Sequence, residues 1–438
     1  MYSLPSGVYI FIFHCYLSMT KEINVGLVGL GTIGSGVLEV LKNNSKLIEK
    51  RTGVKINLIS VCDKFPERAK ELNVTDIYEP DYKKLLKNKK INVIVELIGG
   101  YEPARTIIMD SIKAKKHVVT ANKAVLAKYG YEIFKLAQKK KVNVLFEASV
   151  GGCIPVIRTV EESFASDNIE SIYGILNGTT NFVLTKMDEG MSYSDALKKA
   201  QELGFAEKDP SFDVEGKDTA QKIFLLASLA FDAKFSEDIS TSGITTLTKK
   251  DMDYAKELGY CVKLLGIAKK ENGEVELRVG PSMIRSSSIF SSVKNEVNAV
   301  LLRGKQTGEI FLSGKGAGRM PTATVVVTDL IELASRTRIT QRFFETAKLK
   351  PISETISKYF IRFTIIDKPG VLASIAKCFG EEGISIATCE QKETGKEIIP
   401  LIFITHAAKQ GQIDKALKKC ALLPGAKEYF VIRIEDLK

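Results

Sequence analysis

The segment that most constrains the fold is a short glycine-rich sequence near the start of the chain. A mostly apolar run at 23–28 is followed by GLGTIG at 29–34 and then by a helical pattern. In such a turn the first glycine allows a tight bend, the second lets the backbone approach a pyrophosphate, and the third lets the helix pack on the strand. The free N–H groups that open the helix suit phosphate oxygens. The sequence therefore predicts a dinucleotide site formed by Gly29, Gly31, Thr32, Ile33 and Gly34.

The rest of the first 150 residues alternates between apolar, strand-like runs and helical stretches. The strand-like runs span 56–62, 91–98, 117–121 and 142–148, with helical stretches at 103–115 and 124–140. This alternation is typical of an α/β fold with a parallel, doubly wound sheet, whose ligands bind beyond the carboxyl ends of the strands. We therefore predict a Rossmann-type nucleotide-binding domain over 19–150.

Three residues at the predicted strand ends are candidates for contacts with the cofactor. Asp63 ends the second strand, where a carboxylate can hydrogen-bond the adenosine ribose, although an Asp here could also be a helix cap. Gly99 follows the third strand and Lys123 the fourth. Because a lysine that only opened a helix would oppose the helix dipole, we interpret Lys123 as facing the reacting end of the cofactor.

The composition excludes several classes of mechanism and partner. The chain has 438 residues with only three histidines, and its seven cysteines show no CxxC spacing, so neither a zinc site nor a histidine base is expected. The formal charge of +11 comes mostly from lysines in short runs, which favours a solvated surface over a nucleic-acid partner. Reduced cysteines and the lack of an apolar stretch of about 18 residues favour the cytoplasm, with no membrane span.

Residues 1–18 form an N-terminal extension, which we interpret as a misassigned start. The apolar run at 8–17 is not preceded by Lys or Arg, as it would be in a signal peptide. Met19 stands directly before the first strand and is a natural first residue.

The most informative window is 200–222, AQELGFAEKDPSFDVEGKDTAQK. Five acidic residues crowd its second part, and Asp218 and Lys222 stand four residues apart, which places them on one helix face. An isolated pair with this spacing is more often a surface ion pair of low energy. Such a concentration of like charge is unusual for a surface, so this window is a candidate catalytic segment.

The window resembles the signature of the homoserine dehydrogenases in its spacing A-x3-G-F-A-x2-D-P-x2-D-V-x-G-x-D-x3-K. Further segments resemble the same family, in collinear order from about residue 22 to the C-terminus: GLGTIGSG at 29–36, TANKA at 120–124, EASVGGCIP at 147–155, NGTTNF at 177–182 and GKGAGRMPT at 314–322. The resemblance implies reversible, nicotinamide-dependent reduction of L-aspartate 4-semialdehyde to L-homoserine, towards threonine, methionine and isoleucine.

The resemblance also implies roles for single residues. Lys222 would donate the proton, with Lys123 also at the reaction centre. Asp218 would hold the substrate and orient the lysine, while Glu207 and Asp213 would bind the substrate, Glu207 at its ammonium group. These roles use no histidine, in agreement with the composition.

Further binding residues come from the resemblance alone. Gly318 would lie against the cofactor. A monovalent cation such as sodium would bind mainly backbone oxygens, those of Glu147, Val150, Gly152 and Ile154. Carbonyl ligands leave no side-chain signal, so the composition could not indicate them.

One departure from the family concerns the choice between NAD and NADP. Many NADP-using members carry Arg directly before the acid that ends the second strand, whereas this chain has Cys62 there and Lys64 after the acid. A guanidinium holds a 2′-phosphate in bidentate fashion, whereas Asp63 would repel it. We therefore expect NAD to be preferred, with NADP tolerated.

The remainder of the chain divides into a catalytic part and a small C-terminal module. We predict an α+β catalytic and dimerisation domain over 151–345, whose part 321–345 returns to the nucleotide domain, and a linker at 346–358. Residues 359–438 read as β-α-β-β-α-β. The sequence DKPGVL at 367–372 resembles the first loop of ACT domains, although a plain ferredoxin-like dimerisation unit has the same pattern. An ACT domain implies feedback inhibition, with L-threonine as the effector, and the family implies a homodimer or tetramer.

Two other functions stay open on the residues alone. A semialdehyde dehydrogenase that acylates a cysteine needs an activated thiolate, and Cys153 has no evident histidine partner. A non-catalytic amino-acid sensor would leave Glu207, Asp218 and Lys222 without a purpose.

Overall fold

The computed structural model describes residues 21–235, 239–336, 340, 342, 344–391 and 397–437. The predicted N-terminal extension at 1–18 therefore lies outside the described residues. The first elements are β1 (Lys21–Val28), α1 (Thr32–Thr52), β2 (Val54–Cys62), α2 (Pro66–Glu71), α3 (Tyr82–Lys87), β3 (Val93–Glu96), α4 (Ala104–Lys113), β4 (His117–Thr120), α5 (Lys123–Lys140), β5 (Val144–Leu145), α6 (Val156–Arg158), β6 (Ile169–Ile175) and α7 (Gly178–Asp188).

The later elements alternate between helices and longer strands. They are α8 (Tyr193–Glu202), α9 (Ser211–Val214), α10 (Lys217–Ala230), β7 (Ala233–Lys234), β8 (Ser240–Thr241), α11 (Lys249–Glu257), β9 (Tyr260–Glu271), β10 (Glu274–Arg285), β11 (Val297–Gly304), β12 (Gly308–Lys315), α12 (Arg319–Ser335), β13 (Glu345–Thr346), β14 (Lys348–Leu349), β15 (Ile356–Ile366), α13 (Val371–Glu381), β16 (Ile386–Gln391), β17 (Ile398–Thr405), β18 (Ala408–Lys409), α14 (Gln410–Cys420) and β19 (Ala426–Glu435). No described helix is long and apolar enough to cross a membrane.

The chain forms two compact units, and the first contains the described residues of 21–125, 132–148 and 319–341. Its five strands are parallel and follow the order β2-β1-β3-β4-β5. This confirms the predicted α/β, doubly wound fold. The order reverses at β1, so the carboxyl ends of β1 and β3 flank the switch point where such sheets bind their ligands.

The helix α12 belongs to the first unit and packs on α1. A side-chain carbon placed on Gly36 would lie 2.9 Å from the Ala323 Cβ, so glycine lets the two helices approach closely. Val326 and Leu330 of α12 are fully buried in the same core as Val25 of β1. The return of the chain at 319 therefore covers the sheet with apolar surface.

The second unit contains 126–131, 149–318 and 342–438, and a long sheet crosses it. Nine of its strands follow the order β12-β11-β6-β9-β10-β19-β15-β17-β16. The strands of the C-terminal module are therefore continuous with those of the catalytic part. The joint is a parallel pairing of β10 with β19, in which Ser282 lies opposite Arg433 and Ile284 opposite Glu435.

A buried group of charged side chains spans this joint. The Arg278 guanidinium of β10, 3% exposed, binds Glu276 with 2.7 Å between Nε and Oε1 and also binds Glu435 of β19. The Lys269 ammonium lies 3.5 Å from Glu435. Burial raises the pKa of the Glu435 carboxyl, but Arg278 and Lys269 outweigh it and bring the pKa below its ordinary value. The negative charge of Glu435 on β19 is thus neutralised by Arg278 of β10 and Lys269 of β9.

The segment at 346–358 is more ordered than the predicted linker. It contains β14, a short 3₁₀ turn at Ile352–Glu354 and the beginning of β15. Lys348 and Leu349 pair with Glu274 and Val275 of β10. A polar segment with a proline gives little periodicity, and for that reason the pairing could not be seen in the sequence.

The C-terminal module has the predicted β-α-β-β-α-β order. Its two helices cover one face of β15, β17 and their neighbours, and Phe363, Phe379 and Phe403 meet edge-on in its core. The module therefore has a hydrophobic core of its own, although its last strand belongs to the long sheet.

Candidate active site

The glycine turn between β1 and α1 has the geometry that the sequence predicts. Gly29 adopts a φ of +103°, and a side-chain carbon on it would lie 2.6 Å from the Leu97 carbonyl oxygen. A carbon on Gly34 would lie 1.9 Å from the Gly29 oxygen. Gly31 is different, because the nearest atom to such a carbon is 3.8 Å away, on Arg68. Two glycines are thus required by the fold, and the third leaves room for a ligand.

The start of α1 supplies donors beside that room. The helix begins at Thr32, followed by Ile33, with Gly31 as its N-cap and no side-chain cap. Backbone N–H groups in a first helical turn have no partner within the helix and attract phosphates. This part of the chain therefore fits the pyrophosphate of a dinucleotide.

Asp63 follows β2 and is held at the base of the glycine turn. Its carboxylate, 6% exposed, accepts hydrogen bonds from the Leu30 amide at 2.6 Å and the Phe65 amide at 2.9 Å. It also lies 3.3 Å from the Arg68 guanidinium. Arg68 was not among the residues predicted from the sequence.

Gly99 and Lys123 follow the next two strands of the same sheet. Gly99 adopts a φ of +79° with open space beside it. Lys123 is the half-buried first residue of α5, and the Asn122 side chain caps that helix by accepting from the Val125 amide at 3.2 Å. Both residues therefore lie at the carboxyl edge of the sheet, as predicted.

The second unit brings Lys222 and Asp218 together on the buried face of α10. The Lys222 ammonium donates to Asp218 Oδ2 at 2.7 Å and to the Leu176 carbonyl oxygen at 2.6 Å. Lys222 is 8% exposed and Asp218 4%. A buried ammonium needs such partners because leaving water costs it several kcal/mol. The pair is therefore not a surface ion pair, which was the alternative for this spacing.

Asn177 joins a second carboxylate to this pair. Its amide nitrogen donates to Asp213 Oδ1 at 2.7 Å and to Asp218 Oδ2 at 2.9 Å, and its oxygen caps α7. Burial, and then the charge of Asp218, raise the pKa of Asp213. The cluster thus holds two carboxylates against one ammonium, and its local charge suits a cationic amino group. The sequence pointed to the NGTTNF loop but did not single out Asn177.

Glu207 is the one predicted substrate residue of this window that lies outside the cluster. Its side chain is exposed, and its backbone carbonyl oxygen accepts a hydrogen bond from the Gln201 side chain at 3.1 Å. The turn after α8 places it there. Within the described residues its carboxylate makes no hydrogen bond, so the structure leaves its role as a prediction.

The residues predicted to hold a cation lie in a tight turn. Gly151 and Gly152 adopt φ values of +74° and +59°, and a side-chain carbon on Gly152 would lie 2.5 Å from the Lys315 oxygen. Val150 and Ile154 are buried. The Glu147 amide donates to Asp329 at 3.1 Å in the first unit. Among the described residues no group of three His, Cys, Asp or Glu side chains could hold a metal ion.

Gly318 directly precedes α12 and adopts a φ of +128°. The neighbouring Gly316 is buried against Asn298, and a side-chain carbon on it would lie 2.0 Å from the Asn298 amide. The glycines of this segment are thus required by close packing at Gly316 and by backbone conformation at Gly318.

Family models match most of the chain. The model described as homoserine dehydrogenase matches 155–331, its NAD-binding domain matches 29–147, and the ACT domain matches 359–422. Homoserine dehydrogenase from Neisseria gonorrhoeae is 39% identical over 435 residues, which cover 95% of this chain and 99% of that protein. The chain belongs to the homoserine dehydrogenase family.

Other homoserine dehydrogenases are similar along their whole length. The enzyme from Pseudomonas aeruginosa is 39% identical over 95% of this chain and all of that protein. The crystal structure of a homoserine dehydrogenase from Thiobacillus denitrificans matches with a TM-score of 0.90 and 38% identity, over 95% of this chain and 99% of that one. A hyperthermophilic archaeal homoserine dehydrogenase mutant, solved in complex with NADPH, matches with a TM-score of 0.61 and 27% identity, over 72% and 98% of the two chains.

Membership of the homoserine dehydrogenase family decides between the functions that the residues left open. The chain is an NAD(P)-dependent oxidoreductase that acts on a CH–OH group and interconverts aspartate semialdehyde and homoserine. The cysteine-dependent dehydrogenase and the non-catalytic sensor are therefore set aside. Cys153, the residue on which the first of these depended, is exposed and has no described histidine partner.

Proposed function

We propose that Lys222 and Asp218 carry out the proton chemistry of homoserine dehydrogenase in this chain. An ammonium group has three N–H donors. Among the described residues, two of those of Lys222 are used by Asp218 and Leu176. The third is left for the substrate oxygen. When bound, the nicotinamide supplies hydride to the aldehyde carbon, and the proton that balances the charge on oxygen comes from Lys222 Nζ.

Asp218 has two tasks in this proposal. Its charge stabilises the buried ammonium of Lys222 before the reaction, and its hydrogen bond fixes the direction of the Nζ atom. Asn177 fixes the carboxylate in turn. Developing negative charge on the substrate oxygen is stabilised most by donors that are already in place. The excess carboxylate of Asp213, with Glu207, would bind the substrate ammonium group.

Replacing Lys222 tests this role. Lys222→Ala should lower kcat by a factor of about 10² to 10⁴, the usual loss for a general acid, while NADH still binds with a Kd within threefold of the wild type. Lys222→Arg keeps the positive charge beside Asp218 but cannot give up a proton at neutral pH, so it should be nearly as slow. Lys217→Ala, at the exposed start of the same helix, is the matched control. Wild-type turnover in Lys222→Arg would overturn the proton-donor role.

The second part of the proposal concerns the choice of cofactor. The Arg68 guanidinium and the Lys64 ammonium lie over the exposed Phe65 ring, 4.9 Å and 5.5 Å from its centre. The charge of Asp63, which would repel a 2′-phosphate, is compensated by Arg68 and by two backbone amides. We infer that the chain uses NAD, as the sequence favours, and that Arg68 enables it to use NADP as well.

Arg68→Leu should lower kcat/KM for NADPH by about 10- to 100-fold, which corresponds to the roughly 1.5–3 kcal/mol of a hydrogen bond to a charged group. The value for NADH should change less than threefold. Lys70→Ala, an exposed position on the same helix, is the control. Steady-state kinetics with both cofactors measure the effect, and an equal loss with NADH and NADPH would mean that Arg68 only supports Asp63.

The third part concerns the cation. Hard monovalent and divalent cations bind to oxygen ligands, and the turn at 150–154 contains two consecutive glycines in the left-handed region. We propose that backbone oxygens of Glu147, Val150, Gly152 and Ile154 bind sodium.

Replacing sodium chloride by tetramethylammonium chloride at equal ionic strength should lower kcat several-fold, because the larger organic cation cannot occupy the sodium site. Unchanged kcat in the sodium-free salt would refute a functional site.

The fourth part concerns the regulatory module. The loop 367–370 is exposed and opens α13, with Gly370 at a φ of +90° as its N-cap. Its Asp367 carboxylate accepts from Gln391 at 3.0 Å. Free amides at a helix start suit the carboxylate of an amino acid. We propose L-threonine as the effector.

The homodimer or tetramer and the cytoplasmic location stay predictions.

Millimolar L-threonine should inhibit the full chain, whereas D-threonine should not. Asp367→Ala should raise the half-inhibitory concentration at least tenfold without changing kcat, because the loop loses its link to Gln391. Lys377→Ala, an exposed position on α13, is the control. Insensitivity of the wild-type chain to L-threonine would refute the proposed effector.

A further inference from the structure

Glu96, the last residue of β3, is a fully buried carboxyl group that the chemistry above does not use. Its side chain is 0% exposed. It accepts hydrogen bonds from the Ile98 amide at 2.8 Å and from the Thr120 hydroxyl at 2.7 Å. Among the described residues no lysine or arginine forms an ion pair with it. A buried carboxyl group without a cation is costly for the fold, so its presence calls for a function.

The two partners of Glu96 lie at the ends of two neighbouring strands. Ile98 lies in the exposed loop that follows β3 and continues into Gly99 and Gly100. Thr120 ends β4, and its hydroxyl also accepts from the Asn122 amide at 3.0 Å.

The two loops are also tied to each other. The Asn122 side chain donates to the Gly100 carbonyl oxygen at 2.8 Å and accepts from the Val125 amide, which caps α5. Glu96, Thr120, Asn122 and Gly100 therefore form one continuous chain of hydrogen bonds, which runs from the buried Glu96 to the exposed loop at Gly100.

The strand order places this chain of hydrogen bonds beside the cofactor. Glu96 lies opposite Val28, the residue before the glycine turn, and opposite Thr120 on its other side. Neighbouring strands are about 4.8 Å apart. The pyrophosphate site is at the end of β1 and Asp63, on the adenosine side, is at the end of β2. The loops after β3 and β4 therefore lie where the nicotinamide end of a dinucleotide arrives.

We infer that Glu96 is a positioning residue, which fixes the loops after β3 and β4 and thereby places Gly99 and Lys123 against the nicotinamide end of the cofactor. The inference rests on the proposed roles of Gly99 and Lys123. Burial raises the pKa of Glu96, opposed by its hydrogen bonds to Thr120 and to the backbone. The Ile98 amide after β3 and the Thr120 hydroxyl at the end of β4 thus depend on one side chain that solvent does not reach.

Substitutions at Glu96 separate this role from a merely structural one. In Glu96→Ala both loops lose their common acceptor, so the Kd for NADH should rise at least tenfold and kcat should fall at least tenfold. Glu96→Gln keeps an oxygen for the Ile98 amide and can donate to the Thr120 hydroxyl, so the Kd should return to within about threefold of the wild type. NADH fluorescence titration, steady-state kinetics and thermal unfolding are measured on the full chain.

Ser111→Ala is the matched control. Ser111 is also fully buried in the first unit, but it bonds only the Ile107 carbonyl oxygen of its own helix. The Ser111→Ala substitution should at most lower the melting temperature, and it should leave the Kd for NADH unchanged. If Glu96→Ala does not fold, Thr120→Val removes the same link without leaving a cavity, and it should raise the Kd for NADH in the same way.

Two outcomes would overturn the inference. One is a Kd for NADH within twofold of the wild type in folded Glu96→Ala or Thr120→Val. The other is a Glu96→Ala protein whose melting temperature and active fraction fall while its Kd for NADH and the kcat of the active fraction stay at the wild-type values. NADH binding is measured without substrate and so does not depend on Lys222, which means that a failed role for Lys222 and a failed role for Glu96 give different results.

Discussion

The catalytic part of the structure depends on the need of one buried ammonium group for anionic and carbonyl partners. Lys222 satisfies this need with Asp218 on its own helix and with the Leu176 carbonyl oxygen at the end of β6. Asn177, the next residue, holds Asp218 and caps α7. A single charge therefore fixes the register of a helix against a strand end and a second helix. The reacting group is positioned by the same contacts that make its burial tolerable.

In the first unit the main constraint on the sequence is steric. Gly29 and Gly34 are required because any side chain would meet backbone oxygen atoms, and close packing of this kind leaves a sequence pattern that is short, local and specific. The parallel sheet could be predicted for the same reason, since buried strands and amphipathic helices alternate along the chain. The pair Asp218 and Lys222 could be predicted because both lie within one helical turn.

Contacts between distant segments could not be predicted from the residues. Glu96 becomes a link only when β3 and β4 pair. Asn177 and Asp218 are 41 residues apart. The exposure of Glu207 depends on the turn after α8, which the acidic pattern of 200–222 does not indicate. Backbone oxygens, as in the turn at 150–154, carry no residue-type signal.

The pairing of β10 with β19 makes the last strand of the C-terminal module part of the sheet of the catalytic part. A chain that ended before β19 would leave the Arg278 guanidinium without Glu435, with Glu276 as its remaining carboxylate partner among the described residues, and would remove the pairing partners of Ser282, Met283 and Ile284 on β10. On the other face of that strand, Val279 lies against Gly216, the residue that begins the helix of Lys222. Premature stop codons in the C-terminal module should therefore yield misfolded protein. If the module binds the proposed effector, alleles that no longer respond to it should arise by single substitutions that leave the last strand in place.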